Sequence, residues 1–234
     1  MGKRIIQQAR GKGSSTYRVR RKAFSTKVQY PKSLAGISEG KIVKLFSSAG
    51  HSAPLAKIST KEGSFFIPAF KRMIQDEKIN LDGEEIVKGN ILKLKDIPVK
   101  TKIYCIESNP GDGGKFIKTA GSSAEIVRVV GNKINVLMPS KKEKPFNPNC
   151  RAIIGEAAGH GRTDKPIVKA GKQFYIKKAK SKLWPRTSAL KVNAIDHPFG
   201  SGRGKVPKSK IAKRNSPPGA KVGLLRPRRT GHRK

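Results

Sequence analysis

The stretch GKIVKLFSSAGHSAPLAKISTKEGSFFIPAF, residues 40–70, decides the fold class. It holds three short runs of β-branched and aromatic residues, KIVKLF, APLAKIST and GSFFIPAF, separated by Gly, Ser, His and Pro. Such runs predict β-strands joined by turns, and strands repeating about every 8–12 residues predict a barrel or sandwich. We therefore expect a mainly β fold. Residues 37–94 have the right length for a five-stranded barrel of the oligonucleotide-binding type, although a sandwich gives a similar pattern.

A second β unit follows the first along the chain. TKIYCIES (101–108) predicts a strand, and AEIVRVVGNKINVLMP (124–139) predicts a hairpin that turns at Gly131-Asn132. We place a second small β-barrel at residues 95–170.

Long basic extensions flank the two β units, at residues 1–36 and 171–234. They contain too few apolar side chains to offset the cost of ordering the backbone, about 1–2 kcal/mol per residue. We expect them to be disordered or extended when alone. Helices are expected to be scarce, with a short one near Phe70–Asp76 or Lys177–Lys182.

The charge of the chain is large and uneven. Lys and Arg number 52 against 15 Asp and Glu, a formal net charge of +37. Residues 1–35 carry ten of these cations and no acid, and residues 169–234 carry twenty with the single acid Asp196. The 36–168 segment between them has a net charge of only +8. Cationic arms on a mildly basic centre predict a nucleic-acid-binding protein.

Signals for catalysis, metal or cofactor binding are weak. Asp196 and His197 are adjacent, but the acid and base of a catalytic triad meet through tertiary folding. Cys105, Cys150 and His160 do not have the spacing of a zinc site. We expect no enzyme activity, no metal and no cofactor. With no apparent signal peptide or membrane-spanning run, we expect an intracellular chain with reduced thiols.

Two glycine-rich segments leave alternatives open. Residues 109–116, NPGDGGKF, could cradle a phosphate with backbone N–H groups or form an ordinary turn. For Gly159–Arg162 we favour contact with phosphates, because Arg162, Lys165 and Lys169 cluster there. Six aromatic residues among the cations could stack on bases or dock the arms onto the β units: Tyr17, Tyr30, Phe174, Tyr175, Trp184 and Phe199.

Several motifs together resemble one known family. They are the loop SNPGDGGKF (108–116), CRAIIGEAAGHGRTDKPIVKAG (150–171), KLWPRTSALKVNAIDHPFGSG (182–202) and RNSPPGAKVG (214–223). With GKRIIQQARGKG at the N-terminus, they are similar to the second protein of the large ribosomal subunit, in its archaeal and eukaryotic branch. The likeness covers nearly the whole chain.

The resemblance implies an oligonucleotide-binding-type barrel, then an SH3-like barrel, with extensions that thread into ribosomal RNA. It implies a primary RNA-binding protein of the large subunit, needed for subunit association and for the peptidyl-transferase activity of the RNA. Its partners would be large-subunit RNA, small-subunit RNA at the bridge, and neighbouring ribosomal proteins in the cytoplasm, with no membrane. Ser201, Arg203 and Lys205 interrupt the family's glycine run, and the last two add phosphate-binding groups.

The residues that we expect to contact RNA lie in the two arms and in the segment that follows the second β unit. They are Lys3, Arg4, Arg10, Lys12, Arg18, Arg20, Arg21, Arg162, Lys165, Lys169, Lys172, Lys177, Lys178, Trp184, Arg186, Asp196, His197, Arg203, Lys205, Lys213, Arg214, Arg226, Arg228 and Arg229.

Three functional hypotheses follow. The first is a structural ribosomal protein in which His197 organises RNA and Asp196 fixes the loop or orients the histidine. The second is an RNA-acting enzyme or peptidyl transferase with His197 as general base. The third is a DNA-compacting basic protein.

Overall fold

The structure, a computed structural model, describes residues 2–20, 23–24, 26–32, 39–81, 86–205 and 211. The strands are β1 (Glu39–Phe46), β2 (Leu55–Thr60), β3 (Gly63–Pro68), β4 (Lys78–Asn80), β5 (Ile91–Lys93), β6 (Lys102–Tyr104), β7 (Ala124–Val130), β8 (Lys133–Leu137), β9 (Glu143–Phe146) and β10 (Arg151–Ile154). The helices are α1 (Ile6–Gly11) and α2 (Ala170–Ala179), with 3-10 turns at Ser15–Tyr17, Leu94–Asp96, His160–Thr163 and Ala189–Lys191.

The chain divides into two compact units. The terminal unit comprises Met1–Arg18 and Ser181–Lys234, so that it joins the two ends of the chain. The β unit comprises Val19–Lys180 and contains all ten strands described above.

The first sheet of the β unit has four antiparallel strands in the order β3-β2-β1-β4. Side chains that alternate along a strand face opposite sides of the sheet, and Ile42, Ile58 and Ile67 point to the buried side. A bulge between Ile42 and Lys44 shifts the register of β1 against β2. The three runs that opened the sequence analysis are therefore β1, β2 and β3.

The second sheet has six antiparallel strands in the order β5-β10-β6-β7-β8-β9. Val130 pairs with Lys133, so the hairpin turns at Gly131-Asn132 as predicted. Its core includes Ile103, Ile126, Val136 and Phe146. The mainly β fold is confirmed, and the two sheets agree with an oligonucleotide-binding-type unit followed by an SH3-like unit, although the described strands do not close either sheet into a ring.

The helix predictions hold only in part. The Phe70–Asp76 helix is wrong, because Arg72 and Asp76 have φ of 71° and 68°, which a right-handed helix does not allow. That segment forms turns before β4. The Lys177–Lys182 helix exists but lies earlier in the chain, as α2 from Ala170 to Ala179.

A buried ion pair connects β10 to the glycine-rich loop. The carboxylate of Glu107 is fully buried and accepts the Arg151 Nη2–H at 2.8 Å. The same carboxylate accepts the backbone N–H of Arg151 at 2.8 Å and that of Gly113 at 3.0 Å. A charged pair that receives this many hydrogen bonds offsets its loss of hydration.

The second part of the N-terminal extension docks on this ion pair. Arg151 donates to the carbonyl of Pro31 at 2.7 Å, and its guanidinium lies 5.0 Å from the centre of the Tyr30 ring. Tyr30 is fully buried, and its hydroxyl donates to the carbonyls of Cys105 and Arg151. Residues 26–32 are therefore part of the β unit, which differs from the extended arm that the composition predicted.

We expect Arg151→Ala to lower the free energy of unfolding by about 3–5 kcal/mol, because it leaves the Glu107 charge buried without its partner. Arg128→Ala is the matched control, since Arg128 pairs with Glu143 at 3.0 Å on the surface. Removing this exposed pair should cost about 0–1 kcal/mol. Urea denaturation of the two variants measures the difference, and equal losses of stability would contradict the role assigned to the buried pair.

Candidate functional site

Most of the expected RNA-contacting residues have side chains on the surface. Every described Lys and Arg among them is exposed, with the exception of Lys177. Lys177 is half-buried, and so are the three other expected contacts, Trp184, Asp196 and His197. Six of the predicted positions lie outside the described residues: Arg21, Lys213, Arg214, Arg226, Arg228 and Arg229.

The loop around His197 is closed by backbone hydrogen bonds. The N–H groups of Asp196 and His197 both donate to the carbonyl of Asn193, at 3.0 and 3.3 Å. Ser201 N–H donates to the carbonyl of Val192 at 3.1 Å, which joins the two ends of the loop. The segment is thus a defined turn, and His197 sits on it with its side chain half-buried.

The ring of His197 is oriented by the residue that follows the proline. Phe199 N–H lies 3.0 Å from Nδ1, so this nitrogen accepts the hydrogen bond, and the two rings pack edge to face at 4.9 Å. In the neutral imidazole the proton then resides on Nε2. A histidine held in this way presents Nε2–H as a donor, which suits a phosphate or base acceptor.

Asp196 pairs with the N-terminal arm. Its carboxylate lies 3.8 Å from Nζ of Lys3, while Lys3 N–H donates to the carbonyl of Ile195 at 2.7 Å. In the described part of the chain no hydrogen bond joins the Asp196 carboxylate to the His197 ring. Of the two roles considered for Asp196, the geometry supports fixing the loop. It also differs from a catalytic triad, in which the carboxylate accepts Nδ1–H.

A second cationic surface follows the last strand of the β unit. From Gly159 to Lys172 every side chain is exposed, including Arg162, Lys165 and Lys169. A 3-10 turn at His160–Thr163 begins this segment and α2 ends it. The basic residues that are close in the sequence, Arg162, Lys165 and Lys169, therefore lie on one exposed segment.

Helix α2 has no apolar face turned to a core. All ten of its residues are described, and none is buried. Tyr175 is 69% exposed, and the ring of Phe174 packs against it at 5.6 Å. Isolated helices shorter than about 12–15 residues are marginal in water. This helix therefore presents lysines and two aromatic rings without the packing that stabilises most helices of its length.

Two alternatives that the sequence left open are decided by the structure. The N–H groups of Gly113 and Gly114 donate to Glu107 and Asp112, so neither is available to a phosphate and this part of the loop is structural. Tyr30 is fully buried and docks the arm, so it does not stack on a base.

Sequence reasoning also missed the roles of two residues. Lys3 was selected only as an RNA contact, and the structure also places its ammonium 3.8 Å from Asp196, a residue near the other end of the chain. Arg151 was assigned no role from the sequence. Its role as a buried cation of the β unit became visible only after β10 and the glycine-rich loop were brought together.

Metal and membrane chemistry have no geometric support in the described residues. No cluster of three or more His, Cys, Asp or Glu side chains among them could hold a metal ion. Cys105 and Cys150 are free and buried, and burial raises the pKa of the Cys105 thiol to about 12. None of the described helices has the length and apolarity needed to span a bilayer.

We expect Gly200→Ala to distort the His197 loop, because a Cβ there would overlap the carbonyl oxygens of Val192 and Asn193. Gly202→Ala is the matched control, since its Cβ would meet no described atom within 4 Å. Amide chemical shifts of His197 and its neighbours should move strongly in the first variant and little in the second. Similar spectra for both variants would contradict the closed loop.

Comparison with known proteins identifies similar chains over the whole length. Residues 87–219 match the family model described as Ribosomal Proteins L2, C-terminal domain. A protein of Archaeoglobus fulgidus, named large ribosomal subunit protein uL2, is 43% identical over 237 residues, covering 100% of both chains. A protein of Hyperthermus butylicus with the same name is 41% identical over 237 residues, again covering 100% of both chains.

Proposed function

The chain belongs to the uL2 family of large-ribosomal-subunit proteins, and we propose that it binds large-subunit ribosomal RNA as a structural part of that subunit. The observation that carries the proposal is the similarity over the full length, since it includes both cationic arms as well as the β unit. The protein would then work in the cytoplasm, on the ribosome, beside other ribosomal proteins and small-subunit RNA at the bridge.

The exposed helix α2 supports an RNA partner. RNA offers phosphates to Lys172 and Lys178 and unpaired bases to the ring of Tyr175. Binding would provide the packing that the helix lacks in the described residues. Lys and Arg that replace condensed counterions contribute affinity with a steep salt dependence.

The His197 loop would organise RNA near the peptidyl-transferase region, as the family resemblance implies. Its geometry supports a contact role, because Nδ1 is occupied by Phe199 N–H and Asp196 is paired with Lys3. The RNA would carry out the chemistry and the protein would position it. We therefore propose a protein that assists assembly and subunit association without being an enzyme.

Salt dependence tests the contribution of the α2 surface. We expect Lys169→Gln with Lys172→Gln and Lys178→Gln to lower the slope of log affinity against log salt by about 1 for each phosphate that the protein no longer neutralises. The matched control substitutes three exposed lysines of the β strands and turns, Lys61, Lys93 and Lys133, with glutamine. Filter binding to large-subunit RNA between low and physiological salt measures both slopes. Removing residues 171–234 should flatten the slope further, and an unchanged slope after that removal would contradict the role of the arm.

Substitution of the histidine separates the structural hypothesis from the enzymatic one. His197→Ala should weaken RNA binding or particle assembly, and it should remove no separate chemical step. Sedimentation of the variant with large subunits, together with peptidyl-transfer rates across pH on assembled particles, measures both. Normal assembly combined with loss of a pH-dependent rate would favour the general-base hypothesis, and sedimentation of the native protein with chromatin would favour the DNA-compacting one.

A further inference from the structure

A basic cleft lies in the β unit, and none of the residues that line it was selected as an RNA contact in the sequence analysis. It has a volume of about 330 Å³ and is lined by Phe70, Lys71, Arg72, Lys88, Lys102, Gly155 and Glu156. These residues come from four separate segments of the chain, which explains why no sequence pattern indicated the cleft. Cavities of roughly this volume accept small ligands.

The charge of the cleft is strongly positive. It has four cationic side chains and one carboxylate. That carboxylate, Glu156, already contacts two of the cations, Lys102 at 2.6 Å and Lys71 at 3.7 Å. The hydrogen bond from Lys102 holds the pKa of Glu156 below its usual value, so the pair stays ionised. Arg72 and Lys88 contact no carboxylate within the residues that the structure describes.

The walls of the cleft are fixed by backbone hydrogen bonds. Lys71 N–H donates to the carbonyl of Glu156 at 2.9 Å, and Gly155 N–H donates to the carbonyl of Lys102 at 2.8 Å. The backbone that carries Lys71 and Lys102 is thus paired with the Gly155–Glu156 segment on the other side of the cleft.

The backbone at Arg72 is strained, which is a second and independent observation. Its φ of 71° lies in the left-handed region that residues with a side chain seldom adopt. Strained residues of this kind cluster where a ligand is clamped. A glycine would occupy the position without strain, yet the chain has an arginine there, and that arginine lines the cleft.

We propose that this cleft binds a backbone phosphate of RNA, with Arg72 and Lys88 as its principal ligands. The guanidinium would donate to the two non-bridging phosphate oxygens and the ammonium would share one of them, while Glu156 with Lys71 and Lys102 forms one side of the cleft. The inference rests on the proposed function for the identity of the RNA. It adds a binding site in the β unit to those expected in the arms.

RNA phosphate fits the cleft better than an acidic peptide does. A phosphodiester presents its charge on a narrow linear backbone, and two cations can share one group. The cleft is also small, about 330 Å³, which suits a single charged group and not a folded acidic surface. The large positive charge of the whole chain favours a polyanion as the partner.

The test uses the full chain with Arg72→Gly and Lys88→Gln together. Glycine keeps the left-handed backbone of residue 72, and both side chains are exposed, so the fold should be retained. Lys71 and Lys102 are left unchanged because they neutralise Glu156. The matched control removes the same number of charges elsewhere, with Lys61→Gln and Lys133→Gln.

Two measurements test whether the cleft binds RNA phosphate. A uridylate hexanucleotide added to the unsubstituted chain should shift the amide signals of Arg72, Lys88 and Gly155, and these shifts should disappear in the cleft variant and persist in the control. With large-subunit RNA, the cleft variant should lower the salt slope by about 1 relative to the control.

Each outcome has a defined meaning. Equal slopes for the cleft variant and the control, with RNA binding otherwise intact, overturn the cleft and leave the proposed function standing. Shifts of the same size with polyglutamate or with inorganic phosphate alone overturn the preference for a nucleic-acid backbone. If the unsubstituted chain does not bind large-subunit RNA, the proposed function fails, whereas cleft shifts with the hexanucleotide would still support an RNA-phosphate site.

Discussion

The β unit depends on one buried carboxylate. Glu107 ties together three parts of the chain: β10 through Arg151, the glycine-rich loop through Gly113, and the arm through the contacts of Arg151 with Pro31 and Tyr30. A single charge buried in this unit without a partner would be costly, and here Arg151 and Glu107 neutralise each other inside it. In the described part of the chain no other Lys or Arg is buried, so a polyanion can reach these cations.

Strands and turns could be predicted where apolar periodicity is strong. The runs in residues 40–70 and the hairpin at Gly131-Asn132 follow from local propensity and turn chemistry, and both are confirmed. The helix at Phe70–Asp76 was wrong because two non-glycine residues there adopt positive φ, which sequence does not reveal. The family resemblance is confirmed by relatives that match over the full length. The domain boundaries and the individual RNA contacts remain predictions.

The candidate sites could be predicted only where their residues are neighbours in the sequence. The cationic segment from Gly159 to α2 could be found because its charges are adjacent in sequence. The role of Lys3 could not, since its partner Asp196 lies at the other end of the chain. The same holds for the cleft, whose cations meet only after the strands pair. Local sequence patterns predict local structure, whereas contacts between distant segments can be identified only from the folded structure.

The contact of Lys3 with Ile195 and Asp196 joins a segment that is synthesised early to one that is synthesised late. A ribosome adds about 5–20 residues per second, so the first residues of this chain are made roughly 10–40 s before the loop that binds them. During that interval Lys3 lacks the Ile195 carbonyl and the Asp196 carboxylate that it contacts in the folded chain. The terminal unit can therefore form only after most of the chain has been made, because Ser181–Lys234 is the last part to be synthesised.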